Sequence, residues 1–373
     1  MMKDRATTKQ LVMVIFIVGM TLKIFLLPTL LLKSAGRDGL IVLVVLLAAE
    51  LLVLAAALFA VKRSPGLTLT EVLQKYFTPV GGRIAAVILV LYACLKLILI
   101  FTETRSFFES SLFEEFAWPV MALPLFGLAA LVAAKSLSGT ARLFELFAPL
   151  VLVCLVVLAA LIAPNVQFVN ALPLGTVGAG TVARQTLSFP VWTGDFVLIL
   201  LFMGKTRPQS KFMLWGLGAA VLGAAFVLFF AVLLTATFGD IPHLLEYGHN
   251  MRNLANFGTG NLTYGRMDII MYAIWAVGLI IKLFLYAYFA VTLLAFTCNF
   301  RTGNRRLILS GALMLILYIL TVTAFASNSA AYEFARAWPR WFGLGVQIAV
   351  AAGAVILGLL WHRKRTKAKE PKK

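Results

Sequence analysis

Apolar residues along this chain come in long runs, not in the alternating or one-face spacing of a soluble fold. The runs fall at 11–32, 39–61, 84–103, 118–134, 146–164, 186–203, 213–238, 267–297, 307–326 and 339–361. About 20 apolar residues rising 1.5 Å each cross a hydrocarbon layer of about 30 Å. Each run is therefore predicted to be a spanning helix, ten in all. The run at 118–134 is short, and the one at 186–203 is interrupted by Pro190 and Gly194. One connection is long: GDIPHLLEYGHNMRNLANFGTGNLTYGR, at 239–266, is expected to carry a short amphipathic helix as a lid over the outer mouth.

Charges between the runs set the orientation. If the N-terminus is cytoplasmic, inside segments hold 22 Lys and Arg residues and outside segments hold eight. The positive-inside rule then places both termini in the cytoplasm. The first run has no small-residue cleavage site, so it reads as a first spanning helix and not as a removed signal.

Composition agrees and narrows the function. Hydrophobic residues make up 61% and charged residues 13% of 373, with a mean hydropathy of +0.95. Soluble domains carry roughly 25% charged residues. The net charge of +18 would point to nucleic acid in a soluble protein. Here the bases lie in loops and in the tail HRKRTKAKEPKK, without interleaved aromatics, so no nucleic-acid partner is expected. Cys94, Cys154 and Cys298 are far apart, which disfavours a disulfide framework or a zinc site. His243, His249 and His362 lie outside the runs. No metal, no cofactor and no enzymatic chemistry are therefore expected.

The ten runs divide into two blocks of five, 11–164 and 186–361, within one membrane domain of residues 1–373 that ends in a basic cytoplasmic tail at 362–373. A repeated odd block returns upside down. Such inverted repeats place their site at mid-membrane on broken helices. The first helix of block one carries GMTLKIFLLP (19–28), and the first helix of block two carries SFPVWTGDF (188–196). The fold class expected is an all-α integral membrane protein with a five-plus-five inverted repeat and broken helices 1 and 6, as in LeuT-like transporters.

Five ionisable residues fall in the middle of these runs: Lys23, Glu50, Lys96, Asp195 and Lys282. All lie within about 4 Å of mid-bilayer at 1.5 Å per residue. Charges at that depth are costly and mark pathways or sites. Structural pairs such as Lys23 with Glu50 would explain single residues; five at one level favour a shared solvated cavity. Asp268, Trp275, Lys282 and Tyr286 form one stripe on the eighth run, and Tyr92, Lys96, Ile100 and Glu103 another on the third. Three lysines against two acids leave one positive charge over. Either an anionic ligand group completes the site, or one lysine is neutral and serves as a proton site. The candidate ligand-binding residues are Gly19, Thr21, Leu22, Lys23, Tyr92, Lys96, Pro190, Thr193, Gly194, Asp195, Trp275 and Lys282. Glu50 and Pro28 are assigned structural or coupling roles.

Three stretches resemble a known family: SAGRDGLIVLVV at 34–45, TRSFFES at 104–110 and GRMDIIMYAIWAVGLIIKLFLYAYFAV at 265–291. In these the chain resembles the spore germination B-subunit permeases, a branch of the amino acid–polyamine–organocation superfamily. The most specific part is the last, with Arg266, Asp268, Trp275, Gly278, Lys282 and Tyr286. The resemblance implies a ten-helix inverted-repeat fold in the endospore inner membrane or cell membrane. It also implies a germinant-sensing role, binding an amino acid-like solute beside a larger membrane A subunit and a lipoprotein C subunit. The alternative is a proton-coupled amino acid or other small-solute transporter. The superfamily usually has a Gly-x-Gly-like stretch in helix one; aligned on Pro28, this chain has Thr21-Leu22-Lys23. Lys23 would replace the amide cradle as a direct carboxylate partner, or the pocket has lost that ligand class.

Overall fold

A computed structural model describes residues 6–64, 66–111, 118–206, 211–239, 253–254, 268–300 and 304–367. In chain order the helices are α1 (Thr8–Met20), α2 (Leu27–Ala35), α3 (Gly39–Arg63), α4 (Leu69–Tyr76), α5 (Pro79–Ser111), α6 (Trp118–Ala134) and α7 (Leu137–Ile162). They continue with α8 (Ala179–Thr186), a 3-10 segment (Asp195–Phe202), α9 (Phe212–Phe238), α10 (Asp268–Thr297), α11 (Asn304–Val322), α12 (Asn328–Arg336) and α13 (Pro339–Lys367). No β-strand forms among the described residues; the sole pairing of that kind is an isolated bridge between Ala6 and Thr206.

The protein is an all-α membrane protein. Seven helical stretches among the described residues are long and apolar enough to cross a bilayer: Leu27–Arg63, Pro79–Ser106, Leu137–Ile162, Phe212–Phe238, Ala276–Thr297, Asn304–Val322 and Pro339–His362. Thr8–Met20 and Trp118–Ala134 are shorter apolar helices. Large apolar side chains such as Leu52, Leu146, Leu214 and Ile308 point outward and are exposed. In water such a surface would drive aggregation; against lipid tails it carries no penalty. The lid expected over 239–266 lies outside the described residues, except for Gly239, Asn253 and Leu254.

Two apolar runs do not form continuous helices. The first splits into α1 and α2 around a turn at residues 21–26, where Leu22 adopts a left-handed φ of 78°. Pro28 does not itself open the helix. It sits in the first turn of α2, where a missing N–H costs nothing because that position has no helical acceptor. Thr7 starts the other half with a capping box, its hydroxyl accepting the Gln10 N–H while the Gln10 side chain accepts the Thr7 N–H. In the run at 186–203, α8 ends at Thr186, residues 187–194 are irregular, and Asp195–Phe202 winds as a 3-10 helix.

Both described ends of the chain lie on one face. The Ala6 N–H donates to the Lys205 carbonyl at 2.9 Å. Trp361 Nε1 donates to the Tyr76 hydroxyl at 2.7 Å, and Arg63 lies 3.0 Å from His362 Nδ1. At the other end of α3, the buried Asp38 carboxylate ties down the loop that leads to α8. It accepts the N–H groups of Gly175 (2.5 Å) and Val177 (2.7 Å) and the Thr176 hydroxyl (2.7 Å). Between these ends, α5 packs along α10, and the 3-10 segment is enclosed by α1, α3 and α10. The two interrupted segments therefore meet in the interior.

Candidate functional site

Asp195 is the first residue of the 3-10 segment and is fully buried. Its position depends on Gly194, which has a left-handed φ of 82°. A Cβ there would run into the Gln347 amide and lie 2.6 Å from the Tyr92 hydroxyl. Only glycine fits this geometry. The turn aims the Asp195 carboxylate at the three lysines of the membrane interior.

All three reach it. Lys23 Nζ lies 3.0 Å and Lys282 Nζ 2.8 Å from Oδ2, while Lys96 Nζ lies 2.9 Å from Oδ1. The Tyr286 hydroxyl donates to Oδ1 at 2.7 Å. Glu50 completes the group. Its carboxylate takes Lys23 at 2.7 and 2.8 Å, and its Oε1 also accepts the Asp195 N–H at 3.0 Å. A carboxylate at that point satisfies a free amide at the start of a helical segment. Each of the five charged side chains is at most 2% exposed. Burying charges is favourable only when they are paired and hydrogen-bonded, and here every one is.

The remaining lysine hydrogens go to the carbonyls that the broken helices release. Lys23 donates to Gly19 O (2.8 Å), Lys282 to Thr21 O (2.8 Å) and Val18 O (3.3 Å), and Lys96 to Thr193 O (2.6 Å). A regular helix would have bonded those carbonyls internally. The ammonium groups thus stand in for the missing turns, which answers why lysine occupies mid-membrane positions. Phe196 lies beneath Lys23, its ring centroid 5.5 Å from Nζ. A Cβ on Gly19 would meet that ring at 3.0 Å.

The sequence candidates fall as follows. Gly19, Thr21, Lys23, Glu50, Lys96, Thr193, Gly194, Asp195 and Lys282 are part of this one network. Tyr92 is at its edge, donating to Gly194 O at 3.0 Å, and Pro190 O accepts both the Thr193 hydroxyl (3.2 Å) and Gln347 Nε2 (2.7 Å). Leu22 is buried in the turn and contributes backbone conformation only. Pro28 is one turn removed, inside α2. Trp275 is in α10, but its side chain lies outside the described residues. The five charges converge as expected of a shared site, but they meet by direct bonding, Lys23 with Glu50 included, and are buried against one another where a solvated cavity was expected.

Three residues were not among the candidates. Tyr286 shares the Lys282 stripe, and its position one turn away was the available signal. Gln347 is a single neutral amide in the run at 339–361. Glu103 is buried on α5, two turns from Lys96, within electrostatic range of Lys282 and Asp195. Neither of its carboxyl oxygens has a hydrogen-bond partner among the described residues. No group of three His, Cys, Asp or Glu side chains is placed to hold a metal ion among the described residues.

A family model described as "Spore germination protein" matches residues 5–330. No curated protein sequence matches the chain. Among solved structures, a manganese transporter from Eremococcus coleocola, in complex with an aromatic bis-isothiourea substituted compound, is similar at a TM-score of 0.52 and 10% identity. The match covers 95% of this chain and 76% of that one. A mutant of the same transporter aligns equally well, with the same score, identity and coverage. At that identity the likeness speaks for the fold alone.

Proposed function

The chain belongs to the spore germination protein family, and we propose that it is the germinant-sensing B subunit of a germination receptor, recognising a small polar, amino acid-like solute at the Asp195 cluster. It is a membrane protein of transporter-like fold in a germination family. The sensing role is supported by two interrupted segments that meet at one point. Three ammoniums and two carboxylates are concentrated there with the carbonyls the breaks release.

The interruptions near residues 21–26 and 187–194 fall at the starts of the two five-run blocks. That placement supports the ten-helix inverted repeat, with breaks in its first and sixth helices. With both described ends on one face, the excess of basic residues on that side supports cytoplasmic termini in a cell or spore inner membrane.

The physical logic is competition. In the closed arrangement the lysines bond Asp195, Glu50 and backbone carbonyls. A solute carboxylate would draw an ammonium from Asp195, and a solute ammonium would take a released carbonyl. Each exchange weakens a tie between the two broken segments, so the solute favours a state in which they separate. A ligand shifts such an equilibrium only by its differential affinity for the two states. The shift would pass to the receptor's A subunit and lipoprotein C subunit. A second reading, proton-coupled solute transport, has one observation in its favour: three lysines face two acids in the cluster, so release of a lysine proton brings it to neutrality.

The deciding experiment uses spores carrying the chain with Lys23→Met, a germinant panel and immunoblotting of the membrane fraction. Loss of response at normal protein level supports the sensing centre; an unchanged response refutes it. Solute uptake by the purified chain in liposomes would favour the transport reading.

A further inference from the structure

The face that carries both described termini holds a cavity of about 450 Å³ between α4, the start of α5, the end of α10 and the start of α11. Arg83 and Arg306 are in its wall, together with Thr68 and Thr292. A smaller adjoining cavity of about 70 Å³ shares those two threonines and adds Lys205. Two of the three cations flank Tyr288. Lys205 Nζ is 3.0 Å from its hydroxyl and 5.2 Å from its ring centroid, and the Arg306 guanidinium is 5.1 Å from the same centroid.

No carboxylate among the described residues forms an ion pair with them. Glu71, the one acid in the wall, is committed to capping α4, where it accepts the Thr68 N–H at 2.7 Å. Glu145, on a neighbouring helix, is bonded to Lys9 and Gln10 at 3.0 Å each. Arg306 donates through Nη2 to Ala133 O (3.1 Å) and the Thr292 hydroxyl (3.0 Å), and its buried Nε has no partner among the described residues. Membrane orientation requires bases on this side, but it does not require Arg83 and Arg306 to share one cavity wall with Lys205 in the wall of the adjoining cavity. Three cations against the single carboxylate of Glu71 leave these two cavities with positive charge that a bound anion would offset.

We propose that this vestibule binds a small phosphate-type oxyanion, held by Arg83, Lys205 and Arg306. Arginine forks match the oxygens of phosphate, and the threonine hydroxyls supply neutral donors. The anion has two possible sources, a soluble phosphate compound or the headgroup of an acidic phospholipid. The site is separate from the Asp195 cluster, and its test reads binding, not germination.

The full chain is placed in phosphatidylcholine nanodiscs and its melting temperature followed as inorganic pyrophosphate is added. A parallel sample without pyrophosphate contains phosphatidylglycerol. A rise in the first arm identifies a soluble anion as the occupant, and a rise in the second a headgroup. Arg83 makes no hydrogen bond or ion pair among the described residues, so Arg83→Gln should fold normally. It should weaken the response about tenfold, the size of one charge-assisted hydrogen bond, while Arg83→Lys retains part of it. Added KCl should weaken it as well. No rise in either arm, or a response in Arg83→Gln equal to that of the unaltered chain, overturns the proposal.

Discussion

Lys282 Nζ sits 2.8 Å from Asp195 Oδ2 and, with the same nitrogen, 2.8 Å from the carbonyl of Thr21. One ammonium therefore links α10 to both interrupted segments, to an acid at the start of one and a backbone oxygen in the other. Severing it should loosen the two segments from each other before it unfolds anything else.

That link sets an order among substitutions. The bonded cluster holds three lysines against Asp195 and Glu50. Lys282→Met brings its formal charge to zero, whereas Asp195→Asn leaves three ammoniums facing one carboxylate. Removing one partner of a buried pair costs about 3–5 kcal/mol when a charge is left uncompensated. Asp195→Asn should therefore lower the melting temperature of the purified protein markedly more than Lys282→Met. Equal losses would show that the packing of these side chains, and not their charge, is what the cluster contributes.

Gly194 offers a purely steric test. In Gly194→Ala the new methyl meets the Gln347 amide and the Tyr92 hydroxyl, at a left-handed φ that costs an L-residue about 1–2 kcal/mol by itself. Germinant response and thermal stability should both fall. Adding Gln347→Ala removes one of the two obstacles and should restore part of the loss. The remainder, set by φ and Tyr92, should persist. If the second change gives no recovery, the clash with Gln347 is not the cause.

The positions of the charges could be read from the sequence because a lysine or acid in a 20-residue apolar run has few explanations. The breaks were readable for a related reason, since Pro190, Gly194 and Pro28 punctuate runs that otherwise have no reason to stop. How each break forms was not readable. Leu22 takes a left-handed conformation that no glycine announces, and Pro28 begins α2 instead of opening the helix. The 3-10 winding of Asp195–Phe202 has no periodicity distinct from that of any apolar run. Gln347 was invisible because a neutral amide in an apolar stretch stands out far less than a charge, and its partner, Pro190 O, exists only once the backbone has folded.

Asp38 anchors structure at a distance from the cluster, and its effects should be separable. Asp38→Ala removes the acceptor for two backbone N–H groups and one hydroxyl in residues 175–177. Hydrogen bonds to a charged acceptor contribute about 1.5–3 kcal/mol each, so the melting temperature should drop. Limited proteolysis should cut the stretch between α7 and α8 sooner. The preference among germinants should stay the same, because none of the bonds lost reaches Asp195. A changed preference would tie this loop to recognition.

Glu103 gives the sharpest opposition between stability and function. Its carboxyl is fully buried, and neither oxygen has a partner among the described residues. A buried polar group without a hydrogen bond costs about 1–3 kcal/mol, and replacing it by an apolar side chain of similar shape removes that cost. Glu103→Leu should therefore raise the melting temperature of the purified protein, the reverse of what most core substitutions do. A protein retains a destabilising group where activity depends on it. The same variant should then respond less to germinant, and Glu103→Gln, which keeps the shape but cannot ionise, should show whether the charge is the part that matters. A lower melting temperature in Glu103→Leu would mean that the carboxyl is held by a partner in the native membrane, and the functional argument for it would fall with the energetic one.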